Sequence, residues 1–238
     1  MVNFLTNKKA IIFDFDGTLA DTVGIWNEID KVMIKELSGQ NVALQTIQSD
    51  RENFINHNNH GKVYENYTSF LMAKYKIQKT LNDVINYRRT IALDYIINCI
   101  DYKESVAEVL KKLKQLDYKL VLATTTARRT IDNYNTKNQN LIQKAKLDEI
   151  FDYIISNDEI TEKKPSPQIY QKSLDLLKLN KEDCLVVEDS LEGVLAAKRA
   201  GIDVLNIPDS YSKSKQKEID KLADYQIENF TEFLKLLN

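Results

Sequence analysis

The sequence predicts an α/β fold, a Rossmann-like parallel sheet with helices on both faces, interrupted by an inserted all-helical domain. Beyond residue 100, short apolar runs alternate with longer segments in which apolar residues recur every three to four positions. This alternation is typical of a parallel sheet covered by helices. Before residue 100, a single strand-like run precedes helical patterns only. We therefore expect an α/β core domain at 1–21 and 98–238, and a helical domain at 22–97.

The amino-terminal part begins with a strand and continues in helices. The apolar run in KKAIIFDF is bounded by polar residues, which indicates a buried strand. Helical spacing follows from Asp21 to about Leu37, and again in VYENYTSFLMAKY and LNDVINYRRTIALDYIINCI. The asparagine-rich residues 38–61 show no clear period, so no element is predicted there.

Strands and helices alternate in the second part. Their order is helix ESVAEVLKKLKQL, strand YKLVLATT, a long polar helix from about Arg128 to Lys146, strand FDYIIS, helix SPQIYQKSLDLLKL, strand DCLVVED, helix SLEGVLAAKRAG, strand IDVLNI and helix NFTEFLKLLN. In SLEGVLAAKRAG, Ser190 fits an N-cap and Gly201 fits the left-handed position that ends a helix. Ligands of open α/β sheets bind outside the carboxyl ends of the strands, so the residues that follow each strand are the candidates for a site.

Composition and charge argue against nucleic-acid binding, membrane association and secretion. The formal net charge is -2 and the pI is about 5.8, so neither a nucleic acid nor a membrane surface is an expected partner. No apolar run approaches the roughly 20 residues that cross a bilayer, and MVNFLTNKKA lacks the apolar stretch of a secretory signal. We expect a cytoplasmic protein with two reduced cysteines. No pattern in the sequence specifies an oligomeric state.

Polar groups follow four of the predicted strands. They are Asp14 and Asp16 after the first strand, Thr124, Thr125 and Thr126 after the second, Lys163 and Lys164 beyond the third, and Glu188 and Asp189 after the fourth. Each set alone has an ordinary explanation as a turn former or a helix cap. A parallel sheet, however, brings all four sets to one edge.

That edge would hold four carboxylates against one or two lysines. Carboxylates this crowded either keep protons or bind a cation. The chain has only two histidines, and a ligand set made of oxygens favours a hard ion, so Mg²⁺ is the expected cofactor. Mg²⁺ commonly bridges carboxylates to a substrate phosphate, and threonine hydroxyls and a lysine are natural partners for that phosphate.

Four motifs in this order resemble the haloacid dehalogenase superfamily: DFDGT, a hydroxyl residue after the next core strand, KPSP, and VVEDSLEGVLAAKRAG. The closest similarity is to its phosphoglycolate phosphatase and β-phosphoglucomutase-like branch. The inserted helical block corresponds in position to the type-1 cap domain of that branch. The resemblance implies a Mg²⁺-dependent phosphomonoester hydrolase that acts on a small phosphorylated metabolite through an aspartyl-phosphate intermediate.

The resemblance also implies roles for the four carboxylates. Asp14 would attack phosphorus as the nucleophile. Asp16 would protonate the leaving oxygen and then activate water. The metal would be held by Asp14, the backbone carbonyl of Asp16, and Asp189, with Glu188 binding it directly or through water.

The substrate would meet hydroxyl and cationic side chains. Thr124 and Thr125 would bind the transferring phosphoryl group. Lys164, with its neighbour Lys163 as the second choice, would offset the charge of the nucleophile and the phosphate. In the helical domain, Arg51 of QSDRENF is faintly similar to an arginine that meets the substrate in β-phosphoglucomutase. A solvated residue at a helix start is the plainer interpretation of Arg51.

Three alternatives are open. A halide leaves carbon without needing a proton, so the second aspartate, Asp16, favours a phosphate ester over a haloacid. A phosphosugar mutase of the β-phosphoglucomutase type would use the same groups and return the phosphate to its substrate. Ile47 stands where that enzyme has a cap lysine, which counts against a mutase. A non-catalytic binding protein on this scaffold is the third alternative, and the intact set of motif residues counts against it.

Overall fold

The computed structural model describes residues 3–57 and 63–237. The chain divides into two compact units, with one junction after Val23 and another after Cys99. The first and last segments together form an α/β unit, and the segment between them forms an all-helical unit. The fold class predicted from the sequence is confirmed.

The two segments at which the chain leaves and re-enters the α/β unit are joined to each other. Ala20 forms an antiparallel bridge with Tyr102, and the N–H of Lys103 donates to the carbonyl oxygen of Leu19 at 2.9 Å. The Tyr102 hydroxyl donates to the carbonyl oxygen of Ala145 at 2.6 Å. The α/β unit therefore fixes both the point of exit and the point of return.

The α/β unit contains a parallel sheet of six described strands in the order β3-β2-β1-β4-β5-β6. The strands are β1 Ala10–Phe13, β2 Lys119–Ala123, β3 Tyr153–Ile155, β4 Cys184–Glu188, β5 Asp203–Asn206 and β6 Tyr225–Gln226. The order reverses at β1, because β2 and β3 lie on one side of it and β4 to β6 on the other. Ligands of doubly wound sheets bind at such a switch point, outside the carboxyl ends of the strands.

The helices follow the predicted order with local differences. They are α1 Ile25–Ser38, α2 Leu44–His57, α3 Val63–Tyr75, α4 Leu81–Asn98, α5 Val106–Gln115, α6 Arg128–Thr136, α7 Gln139–Ala145, α8 Leu147–Ile150, α9 Gln168–Leu177, α10 Leu191–Ala200, α11 Gln216–Leu222 and α12 Phe230–Leu236. The long helix predicted after Arg128 is broken, because Asn138 caps α7 by accepting the N–H of Leu141 at 2.9 Å. Of the described helices, none is both long and apolar enough to cross a membrane.

Apolar strand residues build the core of the α/β unit. All four residues of β1 are buried, and alternate residues face opposite sides of the sheet. On one side, Ile12 belongs to a cluster that includes Ile169 of α9 and Val194 of α10. On the other side, the Phe13 ring lies 6.3 Å from the ring of Phe151. Apolar side chains therefore cover both faces of β1, and the polar residues beyond β1 are left at the sheet edge.

The helical unit has an apolar core of its own. Buried members of this core include Met33, Ile34, Ile47, Leu71 and Val84. The fully buried carboxylate of Asp30 accepts a hydrogen bond from Nε of Arg88 at 2.6 Å and another from Arg51. A buried charge is stable only with such partners, so this ion network links α1, α2 and α4.

Asp152, directly before β3, connects this strand to β2 through a hydrogen bond and an ion pair. Its carboxylate accepts the N–H of Leu120 at 2.9 Å and pairs with Lys114 at 2.9 Å and Lys119 at 3.1 Å. Partial burial opposes ionisation, but the hydrogen bond from Leu120 and the two ammonium groups outweigh it and lower the pKa of Asp152. The ionised carboxylate therefore stabilises this edge of the sheet.

Replacing Asp152 by asparagine should lower the free energy of unfolding by about 1 kcal/mol at neutral pH. Because the folded-state pKa is depressed, this contribution is present above the ordinary pKa and is lost as the pH falls through the folded value. Urea denaturation of both proteins at about pH 7 and about pH 3 should show a difference that narrows in acid. Asp175→Asn, at an exposed carboxylate of α9, is the control. A difference that stays constant with pH would contradict the prediction.

Candidate active site

The ammonium group of Lys164 joins two carboxylates at the carboxyl ends of β1 and β4. Its Nζ lies 2.6 Å from Asp14 Oδ1, 2.6 Å from Glu188 Oε1 and 3.2 Å from the carbonyl oxygen of Ala123. Asp14 directly follows β1, and its N–H donates to the carbonyl oxygen of Val187 in β4 at 3.1 Å. Backbone pairing therefore holds the carboxylates of Asp14 and Glu188 side by side.

The Glu188 carboxylate is fully buried and is surrounded by hydrogen-bond donors. Oε1 accepts from Lys164 at 2.6 Å and from the Tyr170 hydroxyl at 2.8 Å. Oε2 accepts the N–H of Asp189 at 3.1 Å, and the N–H and hydroxyl of Ser190 at 3.2 Å and 3.1 Å. Residues of the described chain thus supply Glu188 with five hydrogen bonds, which fix its orientation toward Lys164.

Asp189 contacts the turn that follows β1. The Thr18 hydroxyl donates to Asp189 Oδ1 at 2.8 Å. Gly17 has φ 84°, and a Cβ there would lie 2.5 Å from Asp189 Oδ2, so both the backbone and the space require glycine. Lys103 donates to the Gly17 carbonyl oxygen and pairs with Asp209 at 2.7 Å. Contacts on both sides therefore hold this turn in place.

Asp16 is surrounded by hydroxyl groups. The Thr22 hydroxyl donates to Oδ1 at 2.6 Å, and Thr124, at 3.3 Å, and Thr126 donate to Oδ2. Thr124 follows β2, is fully buried, and accepts the N–H of Thr126 at 3.0 Å. Asp14 and Asp16, although only two residues apart, thus have different surroundings: an ammonium group for the first and hydroxyl groups for the second.

Crowding changes the proton affinity of this cluster. Burial, together with the charges of Glu188, Asp189 and Asp16, raises the pKa of Asp14 well above its usual value, although Lys164 opposes the shift. Burial and the Glu188 charge raise the pKa of Asp189 to about 7. Burial opposes the charge on Lys164, but Asp14 and Glu188 outweigh it and raise its pKa well above the usual value. Lys164 therefore stays charged, while Asp14 and Asp189 hold protons more tightly than usual.

The carboxylates fit a divalent cation. Asp14, Glu188 and Asp189 each present an oxygen, and these three atoms lie within 4.8 Å of one another. An all-oxygen set suits a hard cation such as Mg²⁺ better than zinc or copper. A cation would also favour the ionised forms of carboxyls whose pKa values are raised. The donor atoms and the excess of acidic groups therefore both fit the cofactor predicted from the sequence.

Most of the residues predicted at the strand ends lie either around Lys164 or around Asp16. Lys164 is the lysine that meets Asp14, whereas Lys163 is exposed. Thr124 contacts Asp16, and Thr125 beside it is half-buried. The assignment of a catalytic role to each of them stays a prediction.

Several contacts of the site were not predicted from the sequence. Thr126 was expected at the sheet edge together with Thr124, but its hydrogen bond to Asp16 was not predicted. Tyr170 reads as a core residue of the amphipathic helix α9, and Lys103 as one of many surface lysines. Nothing in their sequence context marks the contacts that Tyr170 makes with Glu188 or that Lys103 makes with the turn.

Arg51 lies in the middle of α2, not at a helix start. Its Nε donates to Asn27 Oδ1 at 2.8 Å, its Nη2 donates to the carbonyl oxygen of Trp26 at 2.7 Å, and it also bonds Asp30. Its guanidinium carbon is 5.0 Å from the centre of the Tyr67 ring. Arg51 is therefore anchored within the helical unit, and its role as a substrate ligand stays a prediction.

Gly193 of α10 provides the space that Glu188 occupies, since a Cβ there would lie 1.8 Å from Glu188 Oε1. We expect Gly193→Ala to lower the free energy of unfolding by about 1–3 kcal/mol through overpacking, despite the better helix propensity of alanine. Urea denaturation measures the effect. In a Glu188→Asp background the shorter side chain should accommodate the methyl group, so the same change should cost less. An equal cost in both backgrounds would show that Gly193 does not position Glu188.

The sequence matches a known family and several of its members. Residues 11–207 match the model of the haloacid dehalogenase-like hydrolases. Pyrophosphatase PpaX of Bacillus cereus (strain B4264) is 26% identical over 233 residues, which cover 97% of this chain and 96% of that protein. Protein CbbY of Rhodobacter capsulatus is 26% identical over 223 residues, which cover 86% of this chain and 87% of that protein.

The fold also matches solved structures. The crystal structure of a proposed β-phosphoglucomutase from Thermotoga maritima aligns with a TM-score of 0.76 at 24% identity, over 96% of this chain and 98% of that one. This likeness concerns the fold. The family match runs from β1 to the end of β5 and includes every carboxylate of the cluster, so the chain belongs to the haloacid dehalogenase-like hydrolase family.

Proposed function

We propose that this protein is a Mg²⁺-dependent phosphomonoester hydrolase that acts on a small phosphorylated metabolite through an aspartyl-phosphate at Asp14. The observation that carries the proposal is the contrast between the two aspartates. Asp14 meets the ammonium of Lys164, as a nucleophile that attacks an anionic group requires. Asp16 instead accepts hydrogen bonds from the hydroxyls of Thr22 and Thr124, which would stabilise its ionised form when it acts as an acid and a base.

In the first step, a carboxylate oxygen of Asp14 attacks phosphorus, and the bond between phosphorus and the ester oxygen breaks. The ester oxygen leaves with a proton from Asp16. Lys164 and the hydroxyls of Thr124 and Thr125 offset the charge of the phosphoryl group during transfer. The product of this step is the alcohol and the aspartyl-phosphate.

In the second step, the ionised Asp16 accepts a proton from water, and the oxygen of that water attacks phosphorus. The bond from phosphorus to Asp14 breaks, inorganic phosphate leaves, and both aspartates return to their starting forms. The hydroxyls of Thr22, Thr124 and Thr126 would stabilise Asp16 between the two steps, while it is ionised.

Asp14, Asp189 and the backbone carbonyl of Asp16 would hold the cation. Glu188 already accepts five hydrogen bonds from the described part of the chain, so we assign it a contact through water and the task of orienting Lys164. When bound, Mg²⁺ neutralises charge on the phosphate oxygens.

A phosphosugar mutase would use the same groups, so the helical unit must distinguish the two activities. The position of the mutase cap lysine holds Ile47, which is fully buried in an apolar cluster. An isoleucine in such a place offers no charge to a second phosphate, and we therefore favour hydrolysis. The name of the relative PpaX adds pyrophosphate to the candidate substrates.

The proposed partner is a small molecule rather than a macromolecule. The formal net charge of -2 argues against a nucleic acid as substrate. Cys99 and Cys184 are free thiols, which is consistent with the cytoplasmic location expected from the sequence.

Release of inorganic phosphate from a panel of phosphosugars, 2-phosphoglycolate, nucleoside monophosphates and pyrophosphate tests the function. We expect at least one member to release phosphate with steady turnover in the presence of Mg²⁺. The sugar products should be analysed by NMR at the same time. An isomerised sugar phosphate that forms without free phosphate would overturn the hydrolase proposal.

Asp14→Asn should lower phosphate release by about 10³-fold or more, because an amide cannot form the acyl phosphate. Asp21→Asn, at an exposed aspartate of the same loop, is the matched control and should keep its activity. Unfolding temperatures should show that both variants fold. Full activity in Asp14→Asn would show that another residue is the nucleophile.

Removal of divalent metal by EDTA should stop phosphate release, and Mg²⁺ should restore it. Because the folded-state pKa of Asp189 is raised to about 7, its contribution to stability is present below the ordinary carboxyl pKa and is lost as the pH rises through about 7. Added Mg²⁺ should therefore raise the unfolding temperature more at about pH 8 than at about pH 6. Activity that is indifferent to EDTA, or a larger effect of Mg²⁺ in acid, would contradict the metal assignment.

A further inference from the structure

Lys103 contacts the turn after β1 through both its backbone and its side chain. Its N–H donates to the carbonyl oxygen of Leu19 at 2.9 Å, and its ammonium group donates to the carbonyl oxygen of Gly17. The side chain is 22% exposed, so most of it is buried in the α/β unit. The segment in which the chain re-enters the α/β unit therefore fixes the turn that contains Gly17 and Thr18.

The same ammonium group also holds the loop that follows β5. Nζ of Lys103 lies 2.7 Å from Oδ2 of Asp209, whose side chain is 4% exposed. The other oxygen of this carboxylate accepts the N–H of Tyr211 at 2.9 Å, and the N–H of Ser212 donates to the Asp209 carbonyl oxygen at 3.2 Å. Asp209 thus shapes a turn over 209–212, and a buried carboxylate of this kind depends on its cationic partner.

One hydroxyl group from each of these two segments donates to Asp189. The Thr18 hydroxyl donates to Oδ1 at 2.8 Å, and the Ser212 hydroxyl donates to Oδ2 at 3.3 Å. Asp189 is one of the three carboxylates whose oxygens fit a divalent cation. Both of its oxygens are therefore oriented by segments that Lys103 joins to each other.

The orientation of a metal-binding carboxylate affects how strongly it binds. Groups that hydrogen-bond to a metal ligand fix its position, and their loss commonly weakens metal binding by about 10–100-fold. Mg²⁺ is sensitive to such changes, because it requires near-ideal octahedral geometry. Without the Lys103 ammonium, neither the turn after β1 nor the loop after β5 would be held, and the two hydroxyl groups would no longer be fixed against Asp189.

We propose that Lys103 is a positioning residue of the metal site, because it fixes the two segments whose hydroxyl groups orient Asp189. This role rests on the metal assignment of the proposed function, and Lys103 acts through its neighbours rather than by contact with the cation. The sign of the effect separates positioning from electrostatics. On charge alone, removing a positive group near a cation site would strengthen Mg²⁺ binding, whereas a loss of positioning would weaken it.

Mg²⁺ binding to the phosphate-free protein at about pH 8 tests this role. Calorimetry gives the affinity directly, and the rise in unfolding temperature with Mg²⁺ concentration gives it independently. Lys103→Met, which keeps an apolar chain but removes the ammonium group, should weaken Mg²⁺ binding by roughly tenfold. Lys103→Arg, whose guanidinium can donate to both the carbonyl oxygen and the carboxylate, should restore most of the affinity.

Two further variants complete the comparison. Ser212→Ala removes one hydroxyl at a half-buried position, so it should weaken Mg²⁺ binding about threefold without lowering the unfolding temperature. Lys111→Met, at an exposed lysine of α5, is the matched control for the loss of charge and should bind Mg²⁺ like the wild type. An ion pair with a structural role alone would lower the unfolding temperature of Lys103→Met and leave its Mg²⁺ affinity unchanged.

The wild-type protein separates the two possible failures. If it binds no Mg²⁺, the metal assignment is overturned, and the role of Lys103 with it. If the wild type binds Mg²⁺ and Lys103→Met binds it equally well or more tightly, the role of Lys103 alone is overturned. Should Lys103→Met not fold, Ser212→Ala decides, since an unchanged affinity in that variant would show that the loop after β5 does not orient Asp189.

Discussion

The ion pairs of Lys164 with Asp14 and Glu188 are the interaction on which the rest of the candidate active site depends. Two buried carboxylates beside each other repel, and removing their shared ammonium would leave both charges uncompensated in the protein interior at a cost of several kcal/mol. The three residues come from the position directly after β1, from β4 and from the loop beyond β3. Because the strand order reverses at β1, the sheet brings these distant segments to one point. The strand order therefore brings the three side chains together, and the charge of Lys164 stabilises the two neighbouring carboxylates.

The same cluster explains how two aspartates in one short motif can differ in chemistry. Asp14 continues the backbone pairing of β1 with β4 and meets Lys164, while Asp16 lies in the turn and meets threonine hydroxyls. The turn itself is held by Gly17, which has no side chain to clash with Asp189. One residue type thus has two different surroundings, and the proposed roles of nucleophile and proton carrier rest on that difference.

The sequence was sufficient for the elements whose apolar pattern is strong and for the residues that directly follow strands. It was insufficient where an element is short or polar: β6 has two residues, α11 has one buried side chain among those described, and Asn138 breaks a helix by a hydrogen bond that no periodicity encodes. The contacts of Tyr170 with Glu188 and of Arg88 with Asp30 could not be predicted for a related reason. An aromatic residue or an arginine within a helix has many ordinary roles, and only the neighbours that folding supplies reveal its contacts.

The hydrogen bonds between the exit and return segments, from Ala20 to Tyr102 and from Lys103 to Leu19, have an evolutionary consequence. They hold the two ends of the inserted helices at a spacing that the α/β unit alone determines. Any insertion whose ends match that spacing can be exchanged without disturbing the sheet. Recombination can therefore exchange the helical unit while the sheet and the residues at its carboxyl edge are inherited unchanged.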